Sequence, residues 1–214
     1  MRGGVIIMHP YTKAKDGKSA PGRSTLTYDI VYAALFAVLI AICSWISIPS
    51  AVPFTLQTLG VFLAVSVLGG RRGTLSVLVY VLLGAVGIPV FAGFTGGVGI
   101  LFGNTGGYII GFLLSALVMW GIETWFGRGK LVQLVSMLIG LAICYAFGTI
   151  WFMVLYAREN GPVALTVVLG WCVIPFIIPD LIKIAVVFLI GPRIRKTARI
   201  PLEGSADTHS PSSR

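Results

Sequence analysis

Apolar runs separated by short breaks of glycine, proline or charge constrain the fold of this chain more than any other feature of its sequence. About six runs are long enough, at around twenty residues each, for a helix to cross roughly 30 Å of hydrocarbon. With 57% hydrophobic and 11% charged residues, the 214-residue chain cannot hide its apolar surface in a water-soluble core. The sequence therefore predicts an all-α membrane protein of six transmembrane helices, at residues 28–46, 55–69, 74–87, 105–126, 131–156 and 173–190.

The basic residues predict how these spans are oriented. Of the 16 lysines and arginines, all but Arg158 and Lys183 lie in both tails and in the breaks after the second and fourth spans, which hold Arg71, Arg72, Arg128 and Lys130. Cytoplasmic loops carry such an excess of positive charge. Six spans put all four clusters on one side, so we expect both termini in the cytoplasm. The predicted domains are a basic tail (1–27), a six-helix membrane domain (28–195) and a polar tail (196–214).

Topology also explains the net charge of +9. Nucleic-acid binding is a poor alternative, because the charge is spread over short juxtamembrane turns and is not gathered on one groove-reading element. The three cysteines stand far apart inside apolar runs and both histidines lie in the tails. We therefore expect the cysteines to be buried small side chains, and we expect no metal site.

Residues 87–112 form a glycine-rich stretch with interleaved aromatic residues. Phe94-Thr-Gly-Gly recurs as Asn104-Thr-Gly-Gly, which predicts two similar turns that bring the Thr95 and Thr105 hydroxyls close to the Asn104 amide. Glycine lets the backbone approach a ligand closely, while rings such as Phe94 and Tyr108 supply apolar contact area. We expect a binding loop on the outer face. The alternative is that these glycines serve only close packing of helices.

Two charged residues, Asp180 and Lys183, fall inside the last predicted span. Three residues apart on a helix, they point within roughly 60° of each other and are close enough to pair. A charge at the bilayer centre costs about 2.5–3.5 kcal/mol, so it usually faces a partner, a cavity or a substrate. Pro179 loosens the helix just before the pair and predicts access from the outer side. The alternative is an ion pair that only fixes this helix to its neighbours.

Uncharged hydrogen-bonding residues are predicted on the same outer half as the charged pair. They are Thr55, Gln57, Thr95, Asn104, Thr105 and Tyr108. Among so many apolar side chains, these groups suit a small amphipathic ligand, bound in a pocket near the outer face and covered by loops. For Gln57, hydrogen bonding between helices is an equal alternative. An intramembrane enzyme is disfavoured, because no Ser, His or Cys nucleophile lies in a recognisable arrangement.

A stripe of small residues runs along the first predicted helix. Ala33, Ala37 and Ala41 follow one another at four-residue spacing and so share one helix face. Small residues let the backbones of two membrane helices approach closely. We expect this face to receive another helix.

Three motifs carry a family resemblance: residues 49–58, PSAVPFTLQT; residues 103–112, GNTGGYIIGF; and residues 179–183, PDLIK. With these motifs, residues 28–195 resemble the BioY family, the biotin-specific substrate-binding (S) components of energy-coupling factor (ECF) transporters. The resemblance implies a six-helix bundle in the plasma membrane of a bacterium or archaeon. It also implies that Asn104, Asp180 and Lys183 hydrogen-bond the ureido end of biotin, while loop aromatics enclose the ring and tail. Either Arg158 or Lys183 is left for the biotin carboxylate.

The same resemblance implies partner proteins. Ala33, Ala37 and Ala41 match the small residues with which S components dock on a membrane-embedded T component, which two ATPase subunits drive. The resemblance further implies that the loaded S component tips over in the membrane, so that its pocket opens inward. This chain has no Gly-x-x-x-x-Gly-Lys-Ser/Thr phosphate loop, so partners would use the ATP and the chain itself needs no cofactor. The alternative is a solitary biotin facilitator or secondary carrier.

Overall fold

The computed structural model describes residues 23–49 and 52–197, and this part of the chain is mostly helical. Its helices are α1 (Arg23–Trp45), α2 (Gln57–Leu68), α3 (Gly70–Ala85), α4 (Val98–Leu101), α5 (Gly106–Phe126), α6 (Lys130–Asn160), α7 (Leu165–Cys172) and α8 (Ile174–Thr197). A 3₁₀ turn at Ala92–Phe94 lies between α3 and α4. Strands β1 (Ser47–Ile48) and β2 (Phe54–Thr55) form a short antiparallel pair.

Four of these helices, α1, α5, α6 and α8, are long and apolar enough to cross a membrane. Helices α2 and α3 have 12 and 16 residues. At about 1.5 Å per residue they reach only about 18 and 24 Å, less than the hydrocarbon thickness of about 30 Å. A polytopic helical membrane protein is therefore confirmed, whereas the count of six crossing helices stays a prediction.

The break between α2 and α3 is shorter than the sequence indicated. We expected Arg71-Arg72-Gly73 to form a basic turn, but all three residues lie in the first turns of α3. The chain reverses at Gly69 alone, whose φ of 90° suits glycine. Gly73 sits against Val65, where an added Cβ would come within 2.5 Å of the Val65 Cα. Close backbone packing, and not loop flexibility, explains this glycine.

Basic residues from three distant parts of the chain meet at one end of the bundle. Arg72 forms an ion pair with Asp29 at 2.7 Å, and Arg128 pairs with Glu123. Glu123 also accepts a hydrogen bond from the Gly70 backbone N–H at 2.7 Å, at the start of α3. Arg195 of α8 donates to the Val67 carbonyl at 3.0 Å, near the end of α2. This end, the basic end, is the one that the charge pattern predicts to be cytoplasmic.

The predicted tails lie largely outside the described residues. Residues 1–22 and 198–214 are not described, and residues 23–27, which we assigned to the basic tail, belong to α1. Helix α8 likewise continues past residue 195 to Thr197. The boundaries of the membrane domain therefore stay predictions.

The alanine stripe of α1 is buried within the chain. Helix α1 packs mainly against α3 and α2. Ala33, Ala37 and Ala41 are 2%, 1% and 3% exposed. The expectation that this face receives a helix is met by the protein's own helices. Within the single chain the three alanines are therefore covered by its own helices, and the docking role that the resemblance implies for them stays a prediction.

Candidate functional site

A cavity of about 280 Å³ lies between α2, α5, α6, α8 and the glycine-rich loop (residues 86–105). Apolar and aromatic side chains line most of it, including Val52, Phe91, Ile100, Ile109, Phe112, Leu141 and Phe176. Its polar lining residues are Thr55, Gln57, Thr58, Thr95, Thr105, Tyr108, Tyr145, Asp180 and Lys183. Small-molecule sites commonly occupy about 300–1,000 Å³, so this cavity suits a small ligand. The first turns of α2, α5 and α8 face it, away from the basic end.

Asp180 and Lys183 form an ion pair in the wall of this cavity. The Lys183 ammonium donates to Asp180 Oδ1 at 2.7 Å, and the two residues are only 3% and 5% exposed. Lys183 also donates to the Thr55 carbonyl of β2 at 2.6 Å. Tyr145 of α6 donates to the other carboxylate oxygen, Oδ2, at 2.5 Å. Two helices and one strand therefore hold the charged pair in place.

An aromatic ring lies beside the ammonium of Lys183. Its Nζ lies 4.6 Å from the centroid of the Phe54 ring, within the range of a cation–π contact. Phe54 stacks in turn on Phe176 of α8, with the ring centroids 5.6 Å apart. Strand β2 is therefore fixed to α8 by one hydrogen bond and two ring contacts. No sequence pattern predicted these contacts between β2 and α8.

A second set of contacts anchors the glycine-rich loop to α1. The Trp45 indole N–H donates to the Pro89 carbonyl at 2.9 Å, and its ring stacks on Phe94 at 5.0 Å. Phe94 has a φ of 58°, in the left-handed region that a bulky residue adopts at a cost of roughly 1–3 kcal/mol. The bridge between Phe91 and Thr95 closes this turn. The stacking on Trp45 offsets part of the backbone strain.

The two Thr-Gly-Gly repeats do not form similar turns, contrary to the expectation. The first ends at Gly97, which has a φ of 101° and precedes α4. The second supplies Gly106 and Gly107 to the first turn of α5. A Cβ on Gly107 would come within 2.2 Å of the Trp151 Cβ, and one on Gly111 within 3.2 Å of the Cys144 sulfur. For the second repeat, close packing of α5 on α6 is therefore the better explanation.

Gln57 lies in the cavity wall and also forms the interhelical hydrogen bond that the sequence offered as the alternative. It lines the cavity, and its amide donates to the Tyr80 hydroxyl at 3.0 Å, which joins α2 to α3. The Tyr80 hydroxyl reaches Ser44 of α1 at 3.3 Å. This chain of buried hydrogen bonds connects the cavity wall to the core. On the far side, the Tyr108 and Thr149 hydroxyls are 3.1 Å apart and join α5 to α6.

The structure brings together most of the side chains proposed for the site. The cavity lining contains Asp180, Lys183, Gln57, Thr95, Thr105 and Tyr108. It does not contain Asn104 or Phe94, and Phe94 instead covers Trp45. Sequence reasoning missed Tyr145 and Phe176, because one tyrosine or phenylalanine in an apolar run carries no distinguishing signal.

Chemically, the cavity suits binding better than catalysis. Its charges cancel within one hydrogen-bonded pair, and no group of His, Cys, Asp and Glu in residues 23–49 and 52–197 has the grouping of a metal site. Cys172, in the short helix α7, lines the cavity, and burial raises the pKa of its thiol. The protonated thiol is a poor nucleophile and contributes apolar surface.

Comparisons with known proteins agree on one family. Residues 13–200 match the model of the BioY family. The chain is 43% identical over 169 residues to "Biotin transporter BioY" of Thermotoga maritima, covering 78% of this chain and 96% of that protein. It is 42% identical over 168 residues to "Probable biotin transporter BioY" of Pyrococcus horikoshii, with the same coverages.

A solved structure is similar as well. It is the S component for biotin from an ECF-type ABC transporter, which superimposes with a TM-score of 0.73 at 27% identity. The match covers 83% of this chain and 95% of that one. The likeness therefore extends over most of both chains.

Proposed function

This chain belongs to the BioY family, and on that basis we propose that it is the biotin-binding S component of an ECF-type importer. It captures biotin in the cavity at the outer face of the plasma membrane and delivers it inward with a T component and two ATPase subunits. The relatives named as biotin transporters and the fold of the biotin S component support this proposal. The chain acts as a binding subunit, and its partners hydrolyse the ATP.

The observation that carries the proposal is the buried Asp180–Lys183 pair in the wall of a mostly apolar cavity. A ureido group has two N–H donors and one carbonyl acceptor. Asp180 supplies acceptor oxygens. The Nζ of Lys183 has three hydrogens, of which two bond to Asp180 and the Thr55 carbonyl and one is left for a ligand. This complementary set fits the polar head of biotin, while Phe91, Ile100 and Phe176 enclose the apolar rings and tail.

The biotin carboxylate has fewer candidate partners than the sequence suggested. Arg158 does not line the cavity, and among residues 23–49 and 52–197 Lys183 is the one cation that does. With Lys183 directed at the polar head, the carboxylate lies toward the glycine-rich loop, where Thr95 and Thr105 offer hydroxyl groups. Asn104, between α4 and α5, reaches the ligand when the loop closes over it.

Titration calorimetry of the purified full chain against biotin and a panel of other vitamins tests the proposal. We expect tight binding of biotin alone. Asp180→Asn and Lys183→Met should each weaken binding by at least about tenfold, because a hydrogen bond to a charged group contributes about 1.5–3 kcal/mol. Thr124→Ala, on the far side of the bundle, is the matched control and should bind like the wild type. Tight binding of another vitamin, or unchanged affinity in both site variants, would refute the proposal.

A solitary facilitator or secondary carrier is the second candidate. The burial of Ala33, Ala37 and Ala41 favours it, because the face expected to dock on a T component is covered by α2 and α3. Uptake of labelled biotin in cells with and without genes for ECF partner subunits separates the two. Accumulation that needs the partners supports the importer, and equal uptake without them supports the solitary carrier.

A further inference from the structure

We propose that a groove between the glycine-rich loop and α6 binds an anionic phospholipid, whose phosphate is held by Arg158. The groove has a volume of about 280 Å³ and is separate from the ligand cavity, with which it shares no lining residue. It is lined by Phe102, Phe147, Ile150, Trp151, Val154 and Arg158, among others. Five of these six side chains are apolar or aromatic, and the cation stands at one end.

The apolar part of the groove needs a hydrocarbon occupant. Phe102, Ile150 and Val154 are 69%, 63% and 50% exposed on the outside of the bundle. Phe147 and Trp151 stack along α6 with centroids 6.0 Å apart and form the floor. In a membrane helix, such an outward apolar surface is solvated by acyl chains, because no water is available there.

The length of α6 places Arg158 at the level of the lipid headgroups. Its 31 residues extend about 46 Å, close to the about 40–45 Å of a bilayer with both headgroup layers. Arg158 lies two residues before the C-terminal end of α6. When the Lys130 end is at the cytoplasmic surface, Arg158 therefore lies near the phosphates of the outer leaflet. The guanidinium fork fits a phosphate geometrically.

Arg158 is also free to bind such a phosphate. It is exposed, and no acidic side chain within residues 23–49 and 52–197 forms an ion pair with it. Its neighbour Glu159 points about 100° away around the helix axis. Net attraction from one such cation favours a negatively charged headgroup over a zwitterionic one.

The lipid would contact the loop that forms part of the ligand cavity. Trp151, on the groove floor, donates its indole N–H to the Gly103 carbonyl at 3.1 Å. Phe102, on the groove wall, directly precedes Gly103. An acyl chain in the groove therefore lies against the same segment that connects α4 to α5.

Site-specific photocrosslinking tests this proposal without reference to biotin. The full chain, with benzoylphenylalanine at position 150, is reconstituted in vesicles of phosphatidylglycerol and phosphatidylcholine at about 1:4 with identical acyl chains. Intact mass then gives the headgroups of the captured lipids. We expect phosphatidylglycerol to be enriched about fivefold over its bulk share, since one cation near the surface contributes about 1 kcal/mol. The same probe at Val38, an exposed residue of α1, should capture lipids at the bulk ratio.

Two variants locate the source of this selectivity. Arg158→Ala should return the ratio at position 150 to the bulk value, and Arg158→Lys should keep most of the enrichment. Both variants change only an exposed side chain, so we expect them to fold like the wild type. Elution as a single species in size-exclusion chromatography checks this. A bulk ratio in the wild type, enrichment that survives Arg158→Ala, or crosslinks to a second copy of the chain instead of lipid would each overturn the proposal.

Discussion

Tyr145 is the side chain that completes the hydrogen bonding of Asp180. Lys183 holds one carboxylate oxygen and Tyr145 the other, so the plane of the carboxylate is fixed from two helices. A fixed acceptor binds a rigid donor pair with less loss of conformational entropy than a rotating one. Tyr145 is therefore a positioning residue for the proposed biotin site, although its hydroxyl is not required to touch the ligand.

Tyr145→Phe should weaken biotin binding by about tenfold, because the ring remains and only the hydrogen bond to the carboxylate is lost. Calorimetry of the wild type, Tyr145→Phe, Asp180→Asn and the double variant gives the coupling between the two positions. In the Asp180→Asn background, the tyrosine change should have little further effect. Equal weakening by Tyr145→Phe in both backgrounds would show that its role is general packing.

Gly84 of α3 is required by the ring that packs over it. A Cβ at this position would come within 2.0 Å of the Phe91 ring, which is buried, contacts Tyr80 edge-on and lines the cavity. Gly84→Ala should lower stability by about 1–3 kcal/mol through overpacking, and it should also weaken ligand binding by displacing Phe91.

Gly121 of α5 provides the control, because an added Cβ there meets no atom within 4 Å in the described part of the chain. Gly121→Ala should leave the melting temperature unchanged or raise it slightly, since alanine favours helix more than glycine does. Thermal unfolding of the two variants in the same detergent compares them. Equal melting temperatures would mean that the Phe91 ring moves aside at no cost.

The glycine-rich loop is an ordered element held by contacts that the sequence did not reveal. Trp45 holds it at Pro89 and Phe94, and Trp151 holds it at Gly103. Its composition predicted a binding loop, and Thr95 and Thr105 of this loop do line the cavity. The anchoring tryptophans come from distant helices, so local sequence patterns carry no information about them.

Trp45→Phe should loosen the loop while keeping the stack on Phe94. Loss of the indole N–H removes the bond to Pro89, so hydrogen exchange of residues 88–97 should become faster and biotin should dissociate faster. Hydrogen-exchange mass spectrometry and stopped-flow release measure the two effects. Trp125→Phe, at an exposed position far from the loop, should change neither. Unchanged exchange in Trp45→Phe would mean that the ring contact alone holds the loop.

At the level of helices, hydrophobicity predicted most boundaries but not the join of α2 to α3. The predicted fourth span (105–126) and α5 (Gly106–Phe126) differ by one residue at the start. At Arg71 and Arg72 the positive charge suggested a turn, yet α3 already begins at Gly70. Arg72 is stabilised inside the helix by its ion pair with Asp29, a long-range contact that no local rule predicts.

For the whole molecule, the charge pattern predicted which ends of the helices meet. Arg72, Arg128 and Arg195 do lie at one end of the bundle, opposite the cavity. The site was predictable to the extent that charge in a membrane span is rare, which singled out Asp180 and Lys183. The residues that contact this pair, such as Tyr145 and Phe54, depend on how the helices pack together. Helix packing cannot be predicted from uniformly apolar sequences.

The proposed orientation makes a prediction about the two ends of α6. Lys130→Cys and Asn160→Cys place exposed thiols at opposite ends, whereas the native Cys43, Cys144 and Cys172 are buried. A membrane-impermeant thiol reagent should label Asn160→Cys in intact cells and Lys130→Cys only after lysis. Labelling of Lys130→Cys in intact cells would reverse the proposed topology, and labelling of both would mean that α6 does not cross the membrane.

The mutual neutralisation of Asp180 and Lys183 has an electrical consequence for transport. Because the pair carries no net charge, the loaded cavity would carry the single negative charge of an ionised biotin. Moving that charge into a cell with a negative interior requires work of about 2.3 kcal/mol for each 100 mV of membrane potential. An importer driven by ATP supplies this work from its partners. A solitary carrier would make the passage electroneutral by moving one proton with each ionised biotin.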